Sequence, residues 1–546
     1  MLRAAAGLVV LLALQNPHVP PPTVPGTSVF TRRGQTSPTG HSEIRGRVLN
    51  ARTGQAIAGA NVSAVSMDPN LQAYAVSDAA GAYILFGLPA GRYSVSANAP
   101  SFVARHYAEI DSPNSWKLVD LKADETAGTI DVVLSQGGTI AGTVVDESGS
   151  PAARVFVTPL RREFVHGMPH LFQAGARVQS DNRGEFRFAN LMPGEFFVVA
   201  GPGTPPGYGV TYYPATLVPS KASGVAAAAD RTSTIKLQLA RASGVDVAIT
   251  VLGPDRRPLT GGRILIAPTE WNQAFSFPIG PPGRLVVRGM PPGTYYLQTA
   301  NAEVRTGTAS SGTLVIEEGT SAANVVLMPQ KRAAIHGKVV VDAATRRFLH
   351  PNAIQVGIGV AVPGPPSPGP QSPSGPTKYD LTFDATSWPG LHEVRIQSEE
   401  AGWAIKSVHL DGIDMTEKGF DVPNGADVHG LEVELTNKPP QVMGGVTNAQ
   451  GAPAGQYVVL LFAQNRDLWT NVTQRHVALA RPDQNGRFLV RTLLPGAYLA
   501  VAIPGVSAFS WTDPSLFERL RPLATSFTLA DGEAKTLALV LKSAAQ

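Results

Sequence analysis

The sequence predicts an all-β chain, a tandem array of about five antiparallel β-sandwich domains, and three observations predict it. The first is a sixteen-residue pattern that recurs as "DAAGAYILFGLPAGRY" (78–93), "DNRGEFRFANLMPGEF" (181–196) and "DQNGRFLVRTLLPGAY" (483–498). A fourth copy, "PPGRLVVRGMPPGTY" (281–295), lacks the Asp, and a degraded fifth lies around "SWPGLHEV". The second is spacing: the late glycine of the pattern, at Gly91, Gly194, Gly293, Gly390 and Gly496, returns at intervals of 103, 99, 97 and 106 residues, the size of one sandwich domain. The third is composition. With 55 Gly, 46 Pro and 16% charged residues, the chain suits many short strands joined by tight turns, because Gly supplies positive φ and Pro presets a turn. At 546 residues it is also too long for one hydrophobic core, which stops growing at about 250 to 300 residues.

The pattern reads as architecture. In each complete copy an Asp (Asp78, Asp181, Asp483) caps a turn and a Gly (Gly81, Gly184, Gly486) takes its positive-φ position. Alternation then sets Phe186 and Phe188 on one face of a half-buried strand. A Pro-Gly turn follows, and the aromatic two residues beyond it (Tyr93, Phe196, Tyr295, Tyr498) begins a second strand expected to pair with the first as a hairpin. An aromatic at that place resembles a tyrosine corner, whose ring plugs the core and whose hydroxyl bonds backbone. Phe196 lacks the hydroxyl, so only the plug applies there. A catalytic constellation is needed once, whereas a fold-defining turn is needed in every domain.

Two further signals recur in phase. Opening strands alternate apolar residues at Ile44/Val48, Ile140/Val144, Val247/Val251, Ile335/Val339 and Val442/Val446. Closing strands end at Leu134, Leu239, Leu327, Leu435 and Leu541, each but the last a few residues before the next opening strand. The expected units are therefore 44–136, 137–241, 242–330, 331–437 and 438–546, arranged as beads in series with short linkers.

Outside the units, "MLRAAAGLVVLLALQ" (1–15) has an Arg before an apolar run too short to span a bilayer, which needs about 20 residues, and matches a secretory signal. Residues 16–43 read as a Pro-rich spacer, and "VPGPPSPGPQSPSGPT" (362–377) as a flexible insertion in unit 4. In unit 5, Asp513 as N-cap and Pro514 in the first turn predict a short helix ending before Pro522, with Leu516 and Leu520 packed on the sandwich. No apolar stretch of the mature chain is long enough to cross a membrane as a helix.

The residues also carry a family resemblance. "IRGRVLNARTGQAIAGANVSA" with "SDAAGAYILFGLPAGRYSV" resembles the carboxypeptidase regulatory-like domain, an immunoglobulin-like or transthyretin-like (prealbumin-like) sandwich related to carbohydrate-binding-like folds. "IAGTVVDESGSPAARVFV" and "VMGGVTNAQGAPAGQYVVL" repeat its opening. With "YYPATL" and "GWAIKSVHLDGIDM", the whole chain resembles multi-domain exported proteins of this type common in acidobacteria. The resemblance implies an extracytoplasmic, non-catalytic role in binding, adhesion or scaffolding. Units 3 and 4 depart from the pattern, the former by losing the turn Asp, the latter by keeping only the Pro-Gly.

Charge and motifs exclude several classes. A net charge of +4, scattered along the chain, is not the cationic face a nucleic acid requires. The absence of Cys removes disulfides, thiolate metal sites and Cys nucleophiles. There is no His-Glu-x-x-His, Gly-x-Ser-x-Gly or phosphate loop. His106 and Glu109 have the His-x-x-Glu spacing of a zinc ligand pair but sit among loop residues, where a chance match is the better reading. The Asp-x-x-Gly turns lack the alternating oxygens of a calcium loop. Neither cofactor nor metal is expected, and the chain is not expected to be an enzyme.

Binding is then expected in loops that differ between units. Trp271, beside Glu270, Asn272 and Gln273, and Trp469, between Asp467 and Asn471, are flat rings flanked by carboxylates and amides, a combination suited to sugar faces and hydroxyls. The competing reading is that these rings cover sandwich edges or interdomain joints. The expected partner is an extracellular or envelope polysaccharide or protein.

Overall fold

Apolar alternation puts the opening strand of every unit between two partner strands of a sheet. In a computed structural model of the chain the described residues are 28–31 and 40–543, apart from 67–70, 110–115, 166, 202–206, 243, 260, 270–274, 301–307, 321, 362–376, 399–401, 471–472, 474 and 507–510. In unit 2, Gly138–Val145 pairs antiparallel with Glu185–Leu191 and parallel with Thr232–Gln238. The same arrangement recurs around Ser42–Asn50, Val245–Val251, Ala333–Val340 and Gln441–Thr447. The five sandwiches are thus observed, with one addition: opening and closing strands are parallel. Two parallel strands enter and leave at opposite ends of a sheet, which is why a unit can pass the chain straight to its successor.

The second sheet packs across the core. In unit 5 it runs Val477–Ala480, Val458–Ala463, Gly496–Ile503, Thr525–Leu529. In unit 3, Thr308–Ile316 pairs with Ala322–Lys331, so seven strands form one continuous wrapped sheet.

The recurring pattern bridges these sheets and corrects one expectation. Glu185–Leu191 lies in the first sheet and Gly194–Ala200 in the second, with no pairing between them. The Pro-Gly turn makes an arch between sheets, not a hairpin, and the aromatic after it lands between the two layers. Tyr93, Phe196 and Tyr498 are at most 1% exposed. The hydroxyls of Tyr93, Tyr295 and Tyr498 each donate to the carbonyl four residues back, on Pro89, Pro291 and Leu494, at 2.8, 2.8 and 2.7 Å. Burial pushes the Tyr93 phenol up to about 12, which keeps that donor protonated.

At Phe196 a different residue supplies the missing donor. Arg161 lies over the ring, 4.5 Å from its centroid, and donates to Met192 O, four residues before Phe196, at 2.9 Å and to Pro193 O at 2.6 Å. In unit 4 the position is His392, 1% exposed, whose Nε2 meets Ser387 Oγ at 2.6 Å.

The turn itself is reproduced. One carboxylate oxygen of Asp78, Asp181 and Asp483 accepts from the backbone N–H groups two and four residues on, all at 2.8 to 2.9 Å. Gly81, Gly184 and Gly486 have φ of 72°, 73° and 73°. Unit 4 keeps more than its Pro-Gly: Lys378 to Leu381 forms the same turn, with Leu381 at φ 68° and its N–H on Lys378 O at 2.9 Å. Without Gly, the sequence pattern hid it.

Two segments outside the sandwiches are placed. Ser28–Thr31, within the expected spacer, adds an antiparallel edge strand to Leu71–Val76 of unit 1. The expected helix is Pro514–Leu520, with Asp513 capping Ser515 N at 2.8 Å. Its buried residues are Phe517 and Leu520, with Leu516 partly buried. Phe517 stacks on Phe462 at 4.9 Å and covers the outer side of Val458–Ala463, all six residues of which are buried. The expected signal, residues 1–15, and nearly all of the insertion 362–377 lie outside the described residues.

The junctions are tight, as the strand spacing implied. Asn190 ties unit 2 to unit 1, donating to Phe102 O at 2.9 Å and accepting from Gly137 N at 3.0 Å. Asn424 of unit 4 accepts from Lys331 N at 2.8 Å and donates to Pro329 O of unit 3 at 3.4 Å. A simple series of beads is nevertheless not what forms, because unit 5 folds back onto unit 1.

Candidate functional site

Unit 5 meets three other units. Towards unit 1, its turn Asp483–Gly486 docks against Leu118–Leu121: Leu118 N donates to Pro482 O at 3.0 Å, and Gln484 bonds both backbone groups of Asp120 at 2.6 and 2.7 Å. Arg92 reaches Leu489 O at 3.3 Å, and Gln456 reaches Ala108 O at 3.0 Å. The Arg481 guanidinium lies 4.1 Å from the Trp116 ring centroid, and the other neighbour of that ring is His106, stacked at 4.4 Å. Towards unit 4, Arg475 donates to Ile405 O, and His476 Nε2 is 2.9 Å from Glu417 Oε1. Towards unit 2, Thr512 donates to Phe164 O at 2.7 Å.

His106 and Glu109 therefore take part in this joint. The Glu109 carboxylate turns away from the imidazole, accepting from His106 N at 2.7 Å and facing Arg105 at 3.5 Å, while His106 Nδ1 pairs with Ser94 Oγ at 3.1 Å. Burial, with a smaller effect from Arg481, brings the imidazole down to about 4. Burial also raises the Glu109 carboxyl against the pull of Arg105 and Arg481. Among the described residues no three His, Asp or Glu side chains come together at metal-binding geometry.

Where units 1, 4 and 5 meet, they enclose an open cleft of about 1620 Å³. Small-molecule sites hold about 300 to 1,000 Å³, so this space suits a longer ligand. Six arginines line it, Arg92 from unit 1, Arg395 from unit 4, and Arg475, Arg481, Arg487 and Arg491 from unit 5. Lys406 adds a seventh cation, against the carboxylates of Asp120, Glu393, Asp483 and Asp531. The excess of three positive charges accounts for most of the net +4 of the entire chain. Burial lowers the guanidinium pKa of Arg92, Arg475 and Arg481, the last to about 10, so all three remain charged at neutral pH. Trp403 and Trp511 complete the wall, both half-buried.

Of the residues expected to bind, Trp469 and Asp467 do not line this cleft. Trp469 corrects the sequence expectation: its ring is 3% exposed, sits edge-on to Phe462 and Phe517 at 5.7 and 5.4 Å, and donates Nε1–H to Ala463 O at 2.7 Å. An indole so enclosed presents no face to a sugar. Asp467 is exposed in the short 3₁₀ turn before it, while Trp271 and Asn471 lie outside the described residues. Sequence reasoning missed Trp403, Trp511 and the arginines because they come from three units and share no spacing. The one available signal was Trp403 in "GWAIKSVHLDGIDM", where the surrounding stretch departs from the repeat.

Comparison with known proteins covers part of this structure. Residues 43–135, unit 1, match the carboxypeptidase regulatory-like domain. No curated protein matches the chain. Among solved structures, the minor pilin GBS52 of Streptococcus agalactiae is 14% identical, over 37% of this chain and 96% of its own, with a TM-score of 0.24. The TIE protein of Bacillus anthracis is 12% identical, over 71% and 72%, with a TM-score of 0.15. A streptococcal ancillary pilin is 16% identical, over 53% and 99%, with a TM-score of 0.16. Likeness at that level supports no transfer of function.

Proposed function

We propose that this chain is an exported, non-catalytic modular binding protein, a scaffold or adhesin that meets an extracellular or envelope partner. The observation that carries this reading is the docking of unit 5 on units 1, 2 and 4, which builds a wide charged cleft out of three sandwiches. A sandwich array of this kind holds loops and edges in fixed relation, which is what a binding surface needs. The regulatory-like match of unit 1 is consistent with it, and among the described residues no helix is long and apolar enough to cross a membrane. The place of action is outside the cytoplasm, extracellular, periplasmic or held at an outer membrane, as the apolar run at 4–14 suggests.

The test reads the joint and the activity of the unaltered full chain. The Leu118 and Asp120 amides, which donate to Pro482 O and Gln484 Oε1, are expected to be protected from hydrogen exchange, and the protein is expected to be retained by envelope fractions and to turn over no ester, peptide or glycoside. Free exchange of both amides removes the composite surface; turnover of any such substrate removes the non-catalytic assignment.

A further inference from the structure

We infer that the cleft between units 1, 4 and 5 binds an acidic polysaccharide whose charge is carried by carboxylates, a uronic acid polymer. This rests on the binding-protein reading above and adds the ligand class.

Three features of the cleft converge on that chemistry. The first is charge. Six arginines face four carboxylates, and burial has already cost Arg92, Arg475 and Arg481 part of their hydration. A desolvated guanidinium gains most from a planar anion that accepts two parallel N–H bonds, which a carboxylate does. The second is the presence of Trp403 and Trp511 in the lining of the same cleft. Indole faces match the C–H faces of pyranose rings, which a polysaccharide offers at every residue. The third is volume: about 1620 Å³ in a cleft open to solvent exceeds what one monosaccharide fills and admits several linked sugars.

The hydroxyl chemistry also fits. Thr416, Ser407, Thr473, Thr492 and Gln441 also line the cleft. Side chains that both donate and accept suit sugar hydroxyls, while the guanidinium groups, which only donate, suit the uronate carboxylate. A nucleic acid fits less well, since its charge is one phosphate per nucleotide and its recognition calls for a continuous basic track. Here carboxylates interrupt the arginines, Asp120 and Asp483 beside Arg92 and Glu393 beside Arg395.

The probe is polygalacturonate, with a neutral β-glucan and single-stranded DNA as comparisons, each titrated against the full chain by calorimetry at low and high salt. Polygalacturonate is expected to bind at low salt and weaken as salt rises, with the neutral glucan silent and the DNA at least about tenfold weaker. An Arg487→Gln/Arg491→Gln double substitution, both residues exposed, and separately Trp403→Ala, are each expected to lower polygalacturonate affinity by about tenfold or more. Unaltered thermal unfolding in the arginine variant separates binding from folding. Equal affinity for DNA, or wild-type affinity in the arginine variant, overturns the assignment. If the Leu118 and Asp120 amides are protected from exchange in the full chain and polygalacturonate does not bind, only the ligand class fails; if both exchange freely, the composite site fails with it.

Discussion

The side chain of Gln484 copies a β-ladder: its Nε2 donates to Asp120 O at 2.6 Å while its Oε1 accepts from Asp120 N at 2.7 Å. Asp120 belongs to the strand Leu118–Leu121 of unit 1, and Gln484 is the second residue of a turn that every unit repeats. In unit 5 that turn meets a strand of another unit. A repeated structural element has become a joint, and the joint forms one wall of the cleft.

Gln484→Ala is expected to release this joint without disturbing either sandwich. Two hydrogen bonds are lost, on the order of 1 to 2 kcal/mol of docking free energy. Hydrogen exchange should show the Leu118 and Asp120 amides, which donate to Pro482 O and Gln484 Oε1, losing protection while core amides of both units keep theirs. Unchanged protection at Asp120 would refute the joint.

Acid is expected to weaken the same interface. His106 titrates near 6.5 when unfolded and at about 4 when folded, chiefly through burial. Between those values the unfolded chain holds the extra proton, so stability is complete above pH 6.5 and is lost as the pH falls toward 4, by at most about 3 kcal/mol. Glu109, raised by burial, binds its proton more readily when folded and offsets part of the loss at the acid end. An NMR titration should find His106 well below 6.5, and His106→Gln should flatten the pH dependence of unfolding.

Arg161 and Phe196 together are expected to behave as one split tyrosine. Arg161→Ala leaves Met192 O and Pro193 O without the donor they now share and should destabilise unit 2 by about 1 to 3 kcal/mol. Adding Phe196→Tyr should recover part of it, because a hydroxyl there can reach the carbonyl four residues back as it does in units 1, 3 and 5. A double-mutant cycle with no coupling would argue against the substitution of one donor by the other.

Trp469→Ala should act on stability and leave ligand binding alone. The ring packs edge-on against the stacked pair Phe462 and Phe517, and removing it should cost about 3 to 5 kcal/mol, visible as a lower unfolding temperature. If the variant kept its stability and lost polysaccharide binding, the ring would have to be at a surface.

What the sequence determined by itself is short-range. A turn whose Asp accepts from residues two and four ahead, with a positive-φ Gly third after it, is complete within five residues, so Asp78, Asp181 and Asp483 could be read and placed without knowing the fold. The count of units, their spacing, the helix capped by Asp513 and the burial of Tyr93, Phe196, Tyr295 and Tyr498 follow from the same local and periodic signals. The tertiary structure decided what needs a distant partner. It placed the two strands of the recurring pattern in different sheets, set opening against closing strand in parallel, drew Arg161 to Phe196, and enclosed Trp469, whose polar neighbours in sequence gave no sign of Phe462 and Phe517. It also assembled the cleft, because Arg92, Trp403 and Arg481 come from three units, and no period in a sequence records which edges of separate sandwiches will be pressed together.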